Sequence, residues 1–169
     1  MTAEEITQYL AELNDELCAL DVKGEVCLYG GVVMFLVYKA RPATKDVDAV
    51  FEPVKFIRRA AAVVGERHQL ETGWLNFAVK MSLVEHQRHI FLDLPCLKVY
   101  VPETDYLLAM KVLAARADTS DADDILFLVN ELNLSSVDEV SEIARSYYPR
   151  KEIKPEAVFL LEEIFERRT

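Results

Sequence analysis

The sequence predicts an α+β protein, with a mixed β-sheet flanked by helices in the first part and helices alone in the second. Three observations carry this. Short apolar runs ended by glycine or proline (EVCLY before Gly30-Gly31, KVYV before Pro102) alternate with longer segments of helical spacing up to residue 102. Beyond Pro102 only helical patterns remain. Finally, 51% of the 169 residues are hydrophobic while Gly (5) and Pro (6) are sparse, so the chain can bury a substantial core and is not a disordered one. The predicted organisation is an α/β core over 1–102 and a helical region packed on it over 103–169.

The elements follow in order. Ile6, Leu10, Leu13, Leu17 and Leu20 recur at helical spacing over residues 3–20. Glu25–Tyr29 reads as a short buried strand, broken by Gly30-Gly31. Val32–Tyr38 is apolar throughout and rich in β-branched residues. Its place between the glycine pair and a polar turn reads as a buried helix rather than a strand. After the turn Lys39–Lys45, Asp46–Phe51 alternates at its start as a strand does. Pro53 opens a helix over Val54–Glu66, and Gly73-Trp74-Leu75-Asn76 marks a turn into an element of open type. His89–Leu94 and Lys98–Val101 read as strands. Thr104 is the expected N-cap of a helix from about Asp105 to Ala117. Further helices are expected from Asp121 to Asn133, from a Ser135 or Ser136 cap to Tyr148-Pro149, and from Pro155 to Arg167-Arg168.

Charge and composition narrow the function classes. A net charge of −10 argues against wrapping DNA or RNA through phosphate neutralisation, so no extended DNA binding is expected. A local basic patch is compatible with it. No apolar run reaches the ~20 residues of a membrane span, and the acidic, amphipathic start does not read as a secretory signal, so a cytoplasmic protein without a membrane partner is expected. Cys18, Cys27 and Cys96 fit no zinc spacing and are read as free thiols in or near the core. His68, His86 and His89 form no ligand pattern. A metal site would be built from carboxylates, which favours Mg²⁺ or Mn²⁺.

The stretch with chemistry in it is Gly30-Gly31, a helix, then Thr44-Lys45-Asp46-Val47-Asp48. Residues i and i+2 of a strand share a face, so Asp46 and Asp48 present two carboxylates side by side. Two ionised carboxylates repel unless a cation joins them, and Mg²⁺ typically takes one or two carboxylates with phosphate oxygens and water. A glycine pair lets a phosphate approach the backbone.

In this order and spacing the motifs resemble the nucleotidyltransferase superfamily, whose signature is a glycine-rich turn followed by a D-x-D metal pair. Arg41-Pro42-Ala43-Thr44-Lys45-Asp46-Val47-Asp48 is similar to the R-x-T-x-D-x-D form of minimal and toxin-type bacterial members. Trp74-Leu75-Asn76, and Tyr106–Lys111 followed by Ala115-Arg116 and Asp121-x-x-Asp124-Ile125, resemble segments of one prokaryotic branch, so the likeness spans about residues 28–130. The resemblance implies a nucleotidyltransferase-like mixed sheet and an NTP donor. It implies Mg²⁺ or Mn²⁺ on Asp46 and Asp48, with Asp93 as third carboxylate and catalytic group. It implies nucleotide contacts from Gly30, Gly31, Arg41, Thr44, Lys45 and Lys111. The alternative for Asp93 is a polar lead-in to the Pro95 turn, and for Lys111 a side chain at a core margin. The implied activity moves an NMP from an NTP to a hydroxyl acceptor, with tRNA, protein or a small molecule as the acceptor classes, and with a toxin–antitoxin or defence pair as setting. The alternative is a catalytically inactive module of the same type that binds a nucleotide or a cognate partner protein, which an acidic surface would suit if the partner is basic.

Overall fold

The computed structural model describes every residue except 78, 79, 81, 117–119 and 169. Within it the chain forms two compact units, 1–83 with 88–102, and 84–87 with 103–169. The architecture is α+β, with a sheet flanked by helices followed by C-terminal helices. No helix among the described residues is long and apolar enough to cross a membrane.

In the first unit, α1 (Ala3–Ala19) starts at a capping box. Thr2 Oγ1 accepts from Glu5 N at 3.2 Å, and the Glu5 carboxylate accepts from Thr2 N at 2.8 Å. Among the described residues five strands form the sheet: β1 (Gly24–Tyr29), β2 (Val47–Glu52), β3 (Leu75–Asn76), β4 (Arg88–Asp93) and β5 (Leu97–Pro102), in spatial order β3-β2-β1-β5-β4. β1 runs antiparallel to β2 and parallel to β5, β3 is parallel to β2, and β4 is antiparallel to β5.

Strand alternation separates two faces. Val26 stands across from Phe51 and Val99, and Leu28 across from Ala49; all of them are buried. Gly24 lies on the same face, and a Cβ there would meet Ile57 and Leu17 at 3.0 and 3.1 Å, so this face is covered by α1 and α3 (Val54–His68). Those helices supply Ile6, Leu10, Leu13 and Leu17, and Ile57, Ala60 and Val64, each at most 1% exposed. A Leu buried this fully contributes about 1.5–3 kcal/mol. The two helices are also joined at the surface, where Arg67 reaches Glu12 (2.6 Å) and Glu16 (2.8 Å) and His68 reaches Glu12 (2.8 Å). The opposite face carries Glu25, Cys27 and Tyr29, with Asp48 across from Tyr29.

The second unit is built on α4 (Thr104–Ala114), whose Tyr106, Leu107, Leu108, Ala109 and Val112 are buried. Around it lie α5 (Asp121–Glu131), α6 (Val137–Tyr147) and α7 (Pro155–Arg167). Ile125, Leu128, Val140, Ala144, Leu161 and Ile164 turn inward. Tyr106, fully buried, shares a hydrogen bond with the Tyr148 hydroxyl (2.8 Å) and stacks on His86 at 3.8 Å.

Several boundaries differ from the sequence reading. The helix after the glycine pair, α2, is Gly31–Leu36, shorter than the expected Val32–Tyr38; Lys39 at φ 54° turns the chain away. Thr104 lies inside α4, and Glu103 is the N-cap position. α4 stops at Ala114, and the expected end at Ala117 lies outside the described residues. Ser136 caps α6 as expected, accepting from Glu139 N at 3.2 Å. The element left open at Trp74 is β3, a two-residue edge strand. The cysteine expectation is corrected: Cys18 and Cys96 form a disulfide across 78 positions of sequence, and only Cys27 keeps the expected buried thiol. Spacing does not reveal that pair, because it depends on the end of α1 meeting the β4–β5 turn. There the Asn14 side-chain Oδ1 accepts from Cys96 N at 2.8 Å.

Candidate functional site

Val47 explains the placement of the two aspartates. It is fully buried, and its N–H donates to Trp74 O at 2.9 Å, which anchors the start of β2. Asp48 follows it within β2 and so lies on the other side of the strand, while Asp46, expected as the first residue of the strand, lies just before β2. Asp46 is exposed and Asp48 half-buried.

Gly30 adopts φ 67°, ψ −141°, a conformation that side chains rarely tolerate. A Cβ at Gly30 would stand 3.1 Å from Asp48 Oδ2, so the carboxylate lies directly over this turn. A Cβ at Gly31 would stand 3.0 Å from Arg41 Nη1 and 4.0 Å from Thr44 Oγ1. The glycine pair thus leaves room for a carboxylate and a guanidinium on one short stretch of backbone. Thr44 Oγ1 donates to Asp46 O at 3.0 Å and shapes the entry to β2, while Lys45 is exposed beside it. The fold therefore brings Gly30, Gly31, Arg41, Thr44 and Asp48 together at the end of β1 and the start of β2, with the exposed Lys45 and Asp46 next to them in the chain.

Asp93 is not brought there. It stands across from Lys98 on β5, Lys98 across from Glu25 on β1, and Glu25 across from Glu52 on β2, four residues along the strand from Asp48. Three strand spacings and four residues put it about 20 Å from Asp48, well outside a shared metal sphere. The expectation of Asp93 as third carboxylate is not met by the sheet order, because β4 is the far edge strand. It lines a concavity of 1120 Å³ at the opposite end of the sheet, where Lys23, Lys98, Glu25 and Glu52 mix both charges.

What stands beside Asp48 is Asn76. The two residues are register partners on β2 and β3, and Asn76 Nδ2 donates to Asp48 Oδ1 at 2.8 Å. Asn76 sits in the Trp74-Leu75-Asn76 segment, yet nothing in the sequence marks its role, which comes from the pairing of β3 with β2. Trp74, 5% exposed, fixes that pairing by donating from Nε1 to Ala61 O at 3.0 Å.

Lys111 belongs to the second unit. Its ammonium contacts Asp124 Oδ2 at 2.7 Å and Asp121 Oδ1 at 3.2 Å, with Asp124 only 1% exposed. The motif residues Lys111, Asp121 and Asp124 thus form one ion-pair group that ties α4 to α5.

Among the described residues no group of three or more His, Cys, Asp or Glu side chains converges as a metal cluster. Asp48 at the glycine turn and Asp46 just before β2 are carboxylates, the oxygen donor type that Mg²⁺ and Mn²⁺ prefer, while the Asn76 amide turns its nitrogen to Asp48. No family model matches the chain, and no curated protein matches it.

Proposed function

We propose that this chain is a nucleotidyltransferase-type module that binds the triphosphate of a nucleotide together with one divalent cation on Asp46 and Asp48. The observation that carries the reading is the convergence of Asp48 and Arg41 on the Gly30-Gly31 turn, where side-chain space is deliberately small. The guanidinium is a planar fork suited to a phosphate. The two carboxylates supply the hard oxygen donors for a cation, whose charge would offset that of the phosphates. Asn76 orients Asp48 through its amide.

Binding is preferred to transfer because of the same Asn76. The place beside Asp48 that a third carboxylate would take as base for an attacking hydroxyl is held by an amide, which is no base. The carboxylate expected for that part, Asp93, lies at the other end of the sheet. The NTP is thus a ligand, and the acceptor classes named from the resemblance become outcomes of the test.

The experiment measures binding of fluorescent ATP, GTP, CTP and UTP analogues with Mg²⁺, Mn²⁺ or EDTA. Alongside runs transfer of α-³²P label to total tRNA and protein. Cation-dependent binding lost in Asp46→Asn and Asp48→Asn, with no label transferred, supports the module. Label transferred in an Asp46-dependent way replaces it with the transferase reading. Binding indifferent to the cation and to Asp48→Asn removes both.

A further inference from the structure

β4 ends the sheet order among the described residues, and every one of its six residues is exposed or half-exposed. Ile90 is 49% exposed, unusual for a large aliphatic side chain on a strand. An edge of this kind is a template for another strand.

The register of β4 on β5 shows what such a strand would meet. Arg88, Ile90 and Asp93 stand across from Pro102, Tyr100 and Lys98, and therefore share one face. His89 and Leu92 stand across from Val101 and Val99, on the other face. Phe91 falls at the irregularity between Ile90 and Leu92 and has no partner on β5. With Phe91 left out of the outer pairing as it is out of the inner one, the series that an added strand meets is Arg88, His89, Ile90, Leu92 and Asp93. Reversed upon itself, this series is complementary. Arg88 meets the partner's Asp93, His89 the partner's Leu92, and Ile90 the partner's Ile90. Each pair lies on a common face. A slip of one position would mismatch the faces, and a slip of two would lose both ion pairs.

We propose that β4 is a self-pairing edge, on which two copies of this chain join their sheets antiparallel about a two-fold axis at Ile90. The symmetric contact is isologous, so the Arg88–Asp93 pair forms twice. Arg88 is already set for it. It contacts Glu25 at 3.1 Å and lies 3.8 Å over the Tyr100 ring, which holds it on the face it shares with Ile90 and Asp93, and a guanidinium has five N–H donors to share. This gives Asp93, stranded at the wrong end of the sheet for a metal, a role of its own. A contact limited to one short strand lies below the usual size of a stable interface, so the dimer is a weak one, with a Kd of about 100 µM.

Sedimentation velocity of the full chain from about 5 to 500 µM tests this. The wild type is expected to sediment as a monomer at the low end and to shift to a dimer at the high end. Ile90→Lys abolishes the shift. Asp93→Arg weakens association about ten-fold, the size of two exposed ion pairs turned repulsive. Adding Arg88→Asp to Asp93→Arg restores it to within about three-fold of wild type. A wild type that stays monomeric throughout overturns the proposal. So does a dimer indifferent to Ile90→Lys, or a charge-swapped double variant no tighter than the single one.

Discussion

Asn76→Asp restores a carboxylate beside Asp48 and so probes the site directly. The substitution changes one donor nitrogen to an oxygen and leaves the packing of Trp74 and Leu75 alone. It removes the 2.8 Å bond from Asn76 Nδ2 to Asp48 Oδ1. A hydrogen bond to a charged group contributes about 1.5–3 kcal/mol. It also sets two negative charges at nearly that separation in a half-buried site, which adds about 1–2 kcal/mol of repulsion. In EDTA the variant should therefore lose about 3–4 kcal/mol, a fall in Tm of about 10 °C for a chain of this length. A cation on the site reverses the sign of that repulsion. At ten times the variant's Kd, Mg²⁺ adds about 1.4 kcal/mol to the folded state that binds it, so it should raise the variant's Tm by about 4 °C. The single tryptophan, Trp74, reports the transition by fluorescence from beside the site. A variant as stable as wild type in EDTA, or one whose Tm is untouched by Mg²⁺ and Mn²⁺, would refute the placement of a cation between these strands.

Other outcomes follow from single contacts. Gly30→Ala forces a side chain into φ 67° and to within 3.1 Å of the Asp48 carboxylate, and should cost about 2 kcal/mol and the cation-dependent nucleotide binding. Gly73→Ala, also at positive φ but with nothing within 4 Å, should cost about 1 kcal/mol and leave binding intact, as urea melts and titrations would report. Lys111→Met removes the ammonium that contacts Asp121 and the buried Asp124 and should destabilise the chain by about 1.5–3 kcal/mol in denaturant unfolding. Opening the Cys18–Cys96 bond with a reductant, or by Cys96→Ser, releases a loop of 78 residues and should lower stability by about 4 kcal/mol on chain-entropy grounds; an unchanged midpoint under reducing conditions would refute it. The Glu12 carboxyl is held down at about 2 by the Gln8 amide first, and then by Arg67 and His68. Because its folded value lies below the ordinary 4.5, the stability it contributes is present above pH 4.5 and lost as pH falls towards 2; Glu12→Gln should flatten that limb of the acid melt.

The parts of this protein that could be read from its sequence are the local ones. The periodic face of α1, the Ser136 cap of α6 and the break at Gly30-Gly31 each depend on residues a few positions apart, and the hydrogen-bonding and side-chain periods of helix and strand are enough to read them. The mixed architecture followed from the same periods. What the sequence could not hold was adjacency between strands. Asp93 and Asn76 are both polar residues in or beside short strands, and nothing local separates a third ligand from a distant one. The order β3-β2-β1-β5-β4 decides it, setting Asn76 against Asp48 and sending Asp93 to the far edge. The Cys18–Cys96 bond and the bond that orients Asp48 have the same origin. They join residues 78 and 28 positions apart, and such contacts exist only once the sheet has chosen its neighbours and buried one of its faces.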